Sequence, residues 1–174
     1  CPSELPNGPT DAMTQRVDVT QLTPLLFLER SAEVFPDKTA ITYGDRQMSY
    51  AEMAASAQSV AGGLAALGVE PGDRVAYLMP NLPELLIGHF AVPLLEAVLV
   101  AINTRLSPAE IAYILEHSGA KVLVADTALL APLSLDSEAC PYLEMIVQVA
   151  DAGPAVDVAL PTMDYAALVE SGDG

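Results

Sequence analysis

Apolar side chains along this chain recur at two periods in alternation: stretches with one every three or four residues, then short unbroken runs, with turn-forming residues between them. Met53, Ala57, Val60, Leu64 and Leu67 lie at helical spacing and predict a helix from Tyr50 to about Leu67, ended by Gly68. Pro71-Gly72-Asp73 then turns the chain into a short strand, Arg74 to Met79. The alternation repeats as a helix from Leu82 to about Leu95, a strand from Ala97 to Ile102, a helix from Pro108 to about His117 and a strand from Lys121 to Ala125. A helix starting at Thr127 and a strand from Met145 to Val149 complete it. Four strands alternating with helices predict an α/β fold with βαβ crossovers and a mainly parallel sheet flanked by helices on both faces.

Upstream, Pro24 to Phe35 reads as an amphipathic helix. Thr39 to Tyr43 and Gln47 to Ser49 read as strands joined by a Gly44-Asp45-Arg46 turn, an N-terminal antiparallel β-hairpin. Met163 to Glu170 predicts a short final helix with no strand after it. Three helix starts carry a small polar residue followed three positions later by a glutamate, the pattern of a capping box: Ser49 with Glu52, Asn81 with Glu84, and Ser107 with Glu110. Pro108 falls at the first helical position, where its missing N–H costs nothing.

The run from Leu85 to Ile102 is interrupted only by His89 and Glu96 as polar residues, and its 18 residues reach the length of a membrane span. Pro93 and Glu96 inside it favour a helix followed by a buried strand, so no transmembrane segment is expected. Seven Lys and Arg against 23 Asp and Glu leave a formal charge of −16, which repels nucleic-acid phosphates and anionic lipid surfaces. After Lys121 there are nine acidic residues and no Lys or Arg, a solvated acidic surface. Cys1 and Cys140 are too few for a disulfide framework and fit a reducing, cytoplasmic setting. Residues 1–12, with Pro2, Pro6, Gly8 and Pro9 and neither a basic nor an apolar region, read as a disordered leader or a remnant of cloning, with Met13 a plausible natural start.

The residues that carry chemistry are sparse. Neither Lys38 nor Lys121 sits in a glycine-rich turn from strand to helix, so no phosphate loop is predicted. Gly62, Gly63 and Gly68 have the wrong spacing for a dinucleotide fingerprint and are read as packing and capping glycines. His89 and His117 fall on different helices without a second ligand nearby, which argues against zinc, and Cys140 has no neighbouring base. His89 interrupts an apolar helix and is either a core or rim histidine or one that lines a ligand pocket.

Several strings nevertheless resemble a known family. They are Thr39 to Met53; Leu67-Gly68-Val69-Glu70-Pro71-Gly72-Asp73-Arg74-Val75-Ala76; Met79-Pro80-Asn81-Leu82-Pro83-Glu84; Ala97 to Ile111, with Asn103-Thr104-Arg105-Leu106-Ser107-Pro108; and Ser118 to Val124. In order and spacing they resemble the opening of the adenylate-forming superfamily, which includes acyl-CoA synthetases, luciferases and peptide-synthetase adenylation domains. The Ala97 to Ile111 string is most similar to the fatty-acid and related carboxylic-acid CoA ligases.

The resemblance implies that residues 13–174 are the N-terminal portion of a large adenylate-forming domain. The parent would turn a carboxylic or fatty acid, ATP and CoA into acyl-CoA, AMP and pyrophosphate, with Mg²⁺. In the family the phosphate-gripping loop, the Mg²⁺-binding glutamate, the ribose-binding aspartate and the adenylation lysine come later than the residues matched here. No catalytic, cofactor-binding or metal residue is therefore expected in this chain, and His89, on a helix placed near the acyl side, is its one substrate-pocket candidate. The isolated chain is expected to be non-catalytic and to self-associate through an exposed apolar face. A fatty-acyl-AMP ligase that loads a carrier protein and a non-catalytic interaction module are the alternatives. Two residues depart from the pattern: Glu96 stands where the family usually has Gly, and Ala101 where many members have Pro.

Overall fold

A computed structural model describes residues 23–151 and 153–172; the expected leader, residues 1–12, and Met13 lie outside the described residues. The chain begins with helix α1 (Pro24–Val34), the hairpin β1 (Thr39–Tyr43) and β2 (Arg46–Ser49), and the long helix α2 (Tyr50–Ala66). Five strands with their connecting helices follow: β3 (Arg74–Leu78), α3 (Pro83–Leu94), β4 (Val98–Ala101), α4 (Pro108–Ser118), β5 (Val122–Asp126), α5 (Thr127–Leu130), β6 (Met145–Val149), β7 (Thr162–Asp164) and α6 (Tyr165–Ser171).

Two of the three capping boxes form as the sequence predicts. Ser49 accepts the Glu52 N–H at 3.2 Å, and Glu52 in turn accepts the Ser49 N–H at 2.7 Å. Ser107 and Glu110 do the same at the start of α4, which ends on Gly119 at φ 62°. The third box does not form. Leu82 caps α3 through its extended backbone, Pro83 sets the first turn, and Glu84 turns away to pair with Arg46. A charged partner from elsewhere in the fold outcompetes a local bond there.

The five strands pair in the order β4-β3-β5-β6-β7, all parallel, and the hairpin forms a separate two-stranded sheet. The final segment corrects the expectation of four strands and a helix from Met163: Thr162–Asp164 pairs with β6, and the helix starts at Tyr165. Three residues at a sheet edge are too few to show a period. The helix expected from Thr127 lasts one turn, because Pro132 follows and cannot continue it.

Alternate strand residues divide between two cores, as the pleat requires. Val75, Tyr77, Val122, Val124 and Val147 face α2, α3 and α6, while Ala76, Leu78, Leu123, Ala125 and Ile146 face α4 and the loops after α5. The chain runs from β3 to β4 over one face and returns to β5 over the other. The order therefore reverses at β3, whose carboxyl end is the crevice position of open α/β sheets. The apolar run from Leu85 splits between α3 and β4, and no described helix is long and apolar enough to cross a membrane. At the split, Glu96 takes φ 54°, the left-handed conformation for which the family pattern supplies Gly.

Candidate functional site

Helix α3 is apolar on both sides. Ile87, Gly88, Ala91 and Val92 are buried against the sheet and α2, whereas Leu86, His89 and Phe90, at helical spacing on the opposite side, line an open cleft. Ile41, Thr42 and Tyr43 of β1 form the facing wall, and Pro24 at the start of α1 closes one end. The cleft has a volume of about 570 Å³, within the range of small-molecule sites.

On its buried side α3 is seated by a close approach of backbone to ring. A Cβ at Gly88 would lie 2.5 Å from Cζ of Tyr77, so only glycine lets α3 settle on that buried ring. The hydroxyls of Tyr77 and Tyr165 are both buried without a hydrogen-bond partner. Burial pushes both phenols well above the ordinary range, so both stay protonated.

Polar contacts stand at the rim. Arg46 pairs with Glu84 at 3.1 Å, and the Tyr43 hydroxyl donates to Asp151 at 3.0 Å, a bond that raises the phenol's pKa. His89 is exposed, with Nδ1 2.8 Å from the Leu85 carbonyl. A carbonyl can only accept, so Nδ1 donates this bond.

The remaining candidate groups are not brought to this site. His117 stacks on Tyr113 at 5.4 Å on α4, the far face of the sheet from His89. Cys140 is buried, and burial, followed by the Asp136 and Glu116 charges, raises its thiol pKa, the opposite of what a nucleophile needs. Lys121 donates to the Gly68 carbonyl at 2.7 Å and pairs with Asp73 at 3.3 Å. Arg74 donates to the carbonyls of Ser118 and Gly119, both at 2.7 Å. With Arg46 held by Glu84, these three cations serve the fold and do not fit a grip on a nucleotide's phosphates. Among the described residues no group of three or more His, Cys, Asp or Glu could hold a metal ion.

Sequence reasoning singled out His89 but missed Tyr43, Leu86 and Phe90. The signal available for the last two was the helix that is apolar all round, whose second side needs a cover or a ligand.

Comparison with known proteins gives a consistent result. The AMP-binding enzyme family matches residues 28–166. The chain is 37% identical over 150 residues to 4-hydroxybutyrate–CoA ligase 2 of Metallosphaera sedula, covering 86% of this chain and 25% of that protein. It is 40% identical over 105 residues to the peroxisomal benzoate–CoA ligase of Arabidopsis thaliana, covering 60% of this chain and 18% of that one. Among solved structures, the anthranilate CoA ligase AuaEII in complex with anthranoyl-AMP superposes with a TM-score of 0.69 at 34% identity, over 72% of this chain and 24% of that chain. The chain thus spans a quarter or less of the length of these relatives.

Proposed function

Because this chain belongs to the AMP-binding enzyme family, we propose that it is part of an AMP-forming acid–CoA ligase whose partners are a carboxylic or fatty acid, ATP and CoA. The match over residues 28–166, with relatives that are CoA ligases for small acids, is the observation that carries this reading. In that reaction class the carboxylate is joined to AMP with release of pyrophosphate, and the CoA thiol then displaces AMP. ATP with Mg²⁺ supplies the leaving group. Arg46, Arg74 and Lys121 are held within the fold, so we assign this chain no step of the phosphoryl chemistry and propose that alone it forms no acyl-AMP. Acid-dependent exchange of pyrophosphate into ATP on the isolated chain is expected at the blank rate, and a clear rate above it rejects this part.

The role that remains for this chain is to hold the acid's apolar body. The α3 cleft has the volume and the apolar walls for it, and His89 stands at its rim. Replacing His89 with Ala in a full-length ligase carrying this segment removes one wall group. It is expected to shift the ratio of kcat/KM for octanoate over butyrate by about tenfold, the lower end of what one methylene contact is worth. A ratio unchanged across an acid series removes His89 from the acid site. The same apolar wall supports self-association of the isolated chain, and the buried thiol of Cys140 supports a cytoplasmic setting.

A further inference from the structure

The hairpin that walls the cleft is built unlike the rest of the molecule. It makes its own two-stranded sheet and shares no strand pairing with the five-stranded one. None of residues 39–49 is buried; Ala40, Ile41, Tyr43 and Met48 rest half-buried against the core. Its base is firm: Tyr50 N–H donates to the Lys38 carbonyl at 3.0 Å, Ala51 N–H to the Pro36 carbonyl at 3.1 Å, and the Ser49 capping box locks the entry to α2. Its tip is not. Among the described residues two side-chain hydrogen bonds tie it to the rest of the fold, Arg46 to Glu84 beyond β3 and Tyr43 to Asp151 beyond β6. The Tyr43–Asp151 bond is exposed, so water competes for it; in the other latch the Arg46 side chain is 57% exposed while the Glu84 side chain is 12% exposed, so water reaches that pair from the Arg46 end.

We propose that the β1–β2 hairpin is a flap, hinged where it enters α2 and latched at its tip by Arg46 and Tyr43, and that unlatching it widens the cleft from the β1 side. A segment with a firm base, no buried residue and only polar latches at an outward-facing tip opens locally well before the core unfolds. The proposal rests on the acid-site reading only for what enters the cleft. The flap stands or falls on its own measurement, whatever His89→Ala does.

Amide hydrogen exchange on the whole chain tests it, comparing residues 39–48 with β3 in the wild type and in an Arg46→Ala/Tyr43→Phe variant. The hairpin amides are expected to exchange faster than those of β3 in the wild type. In the variant they should speed up about tenfold, a few-fold for each latch, with β3 unchanged. Hairpin amides that exchange no faster than those of β3 overturn the proposal, as does a variant in which both segments speed up together. A second arm reads the cleft itself: with Cys1→Ser and Phe90→Cys in both chains, maleimide labelling at position 90 should rise by a similar factor in the unlatched variant. Equal labelling rates overturn the gating role.

Discussion

A carboxylate side chain at Glu96 occupies a backbone conformation that glycine adopts freely. With φ at 54°, its Cβ crowds its own backbone, which costs an L-residue about 1 kcal/mol or more. The turn is kept because the Glu96 carbonyl accepts the Gly72 N–H at 3.0 Å, pinning the start of β4 beside β3. Glu96→Gly is therefore expected to stabilise the chain by about 0.5–1 kcal/mol after the extra freedom of an unfolded glycine is set against the relief, and to raise Tm by about 1–4 °C. Thermal unfolding checks this, and a lowered Tm would contradict the strain. Gly88 is the opposite case. A methyl there meets the Tyr77 ring, which is 1% exposed and has nowhere to go. Gly88→Ala is expected to lose about 1–3 kcal/mol, seen as a lower urea midpoint with an unchanged slope.

The capping boxes show how far local rules reach at the scale of elements. Ser107→Ala should cost about 1 kcal/mol at neutral pH, measured by urea unfolding. The Ser107 hydroxyl, then its backbone N–H, hold the Glu110 carboxyl below the ordinary range. A group whose folded pKa is depressed contributes stability above its unfolded pKa and loses it as pH falls through the folded value. The penalty for Ser107→Ala should therefore shrink as the pH drops below the ordinary carboxylate range, and a pH-independent penalty would remove Glu110 from the cap. Boundaries written within four residues, as here and at Ser49, were legible in the sequence. The Asn81 box was not, because Glu84 is claimed by Arg46 from 38 positions away, and no local pattern announces a partner at that distance. Strand β7 escaped for the same reason, since an edge segment of three residues is defined by β6 and not by its own period. One wall of the cleft was visible as a helix apolar on both sides with His89 in it. The other was invisible, because nothing in the spacing of Tyr43 says that its hydroxyl reaches Asp151, 108 residues on.

Two properties of the whole molecule oppose each other. The chain carries a formal charge of −16, so two copies repel at long range. It also exposes apolar side chains on α3, with Leu86, which lines the cleft, at 42% and Leu94 at 42%, which favour burial against a second copy. Which wins depends on screening, since the Debye length falls from about 10 Å at 0.1 M salt to about 3 Å at 1 M, while apolar attraction does not weaken. Sedimentation of the isolated chain should therefore show monomer at low ionic strength and a growing oligomer towards 1 M NaCl. Leu86→Glu should abolish the oligomer by placing a charge on the contact surface. A chain that stays monomeric at high salt would mean that the cleft is not a self-association surface. An oligomer indifferent to Leu86→Glu would place the contact elsewhere, for example on strand β4, where Val98 is 50% exposed and one side of the backbone has no strand partner among the described residues.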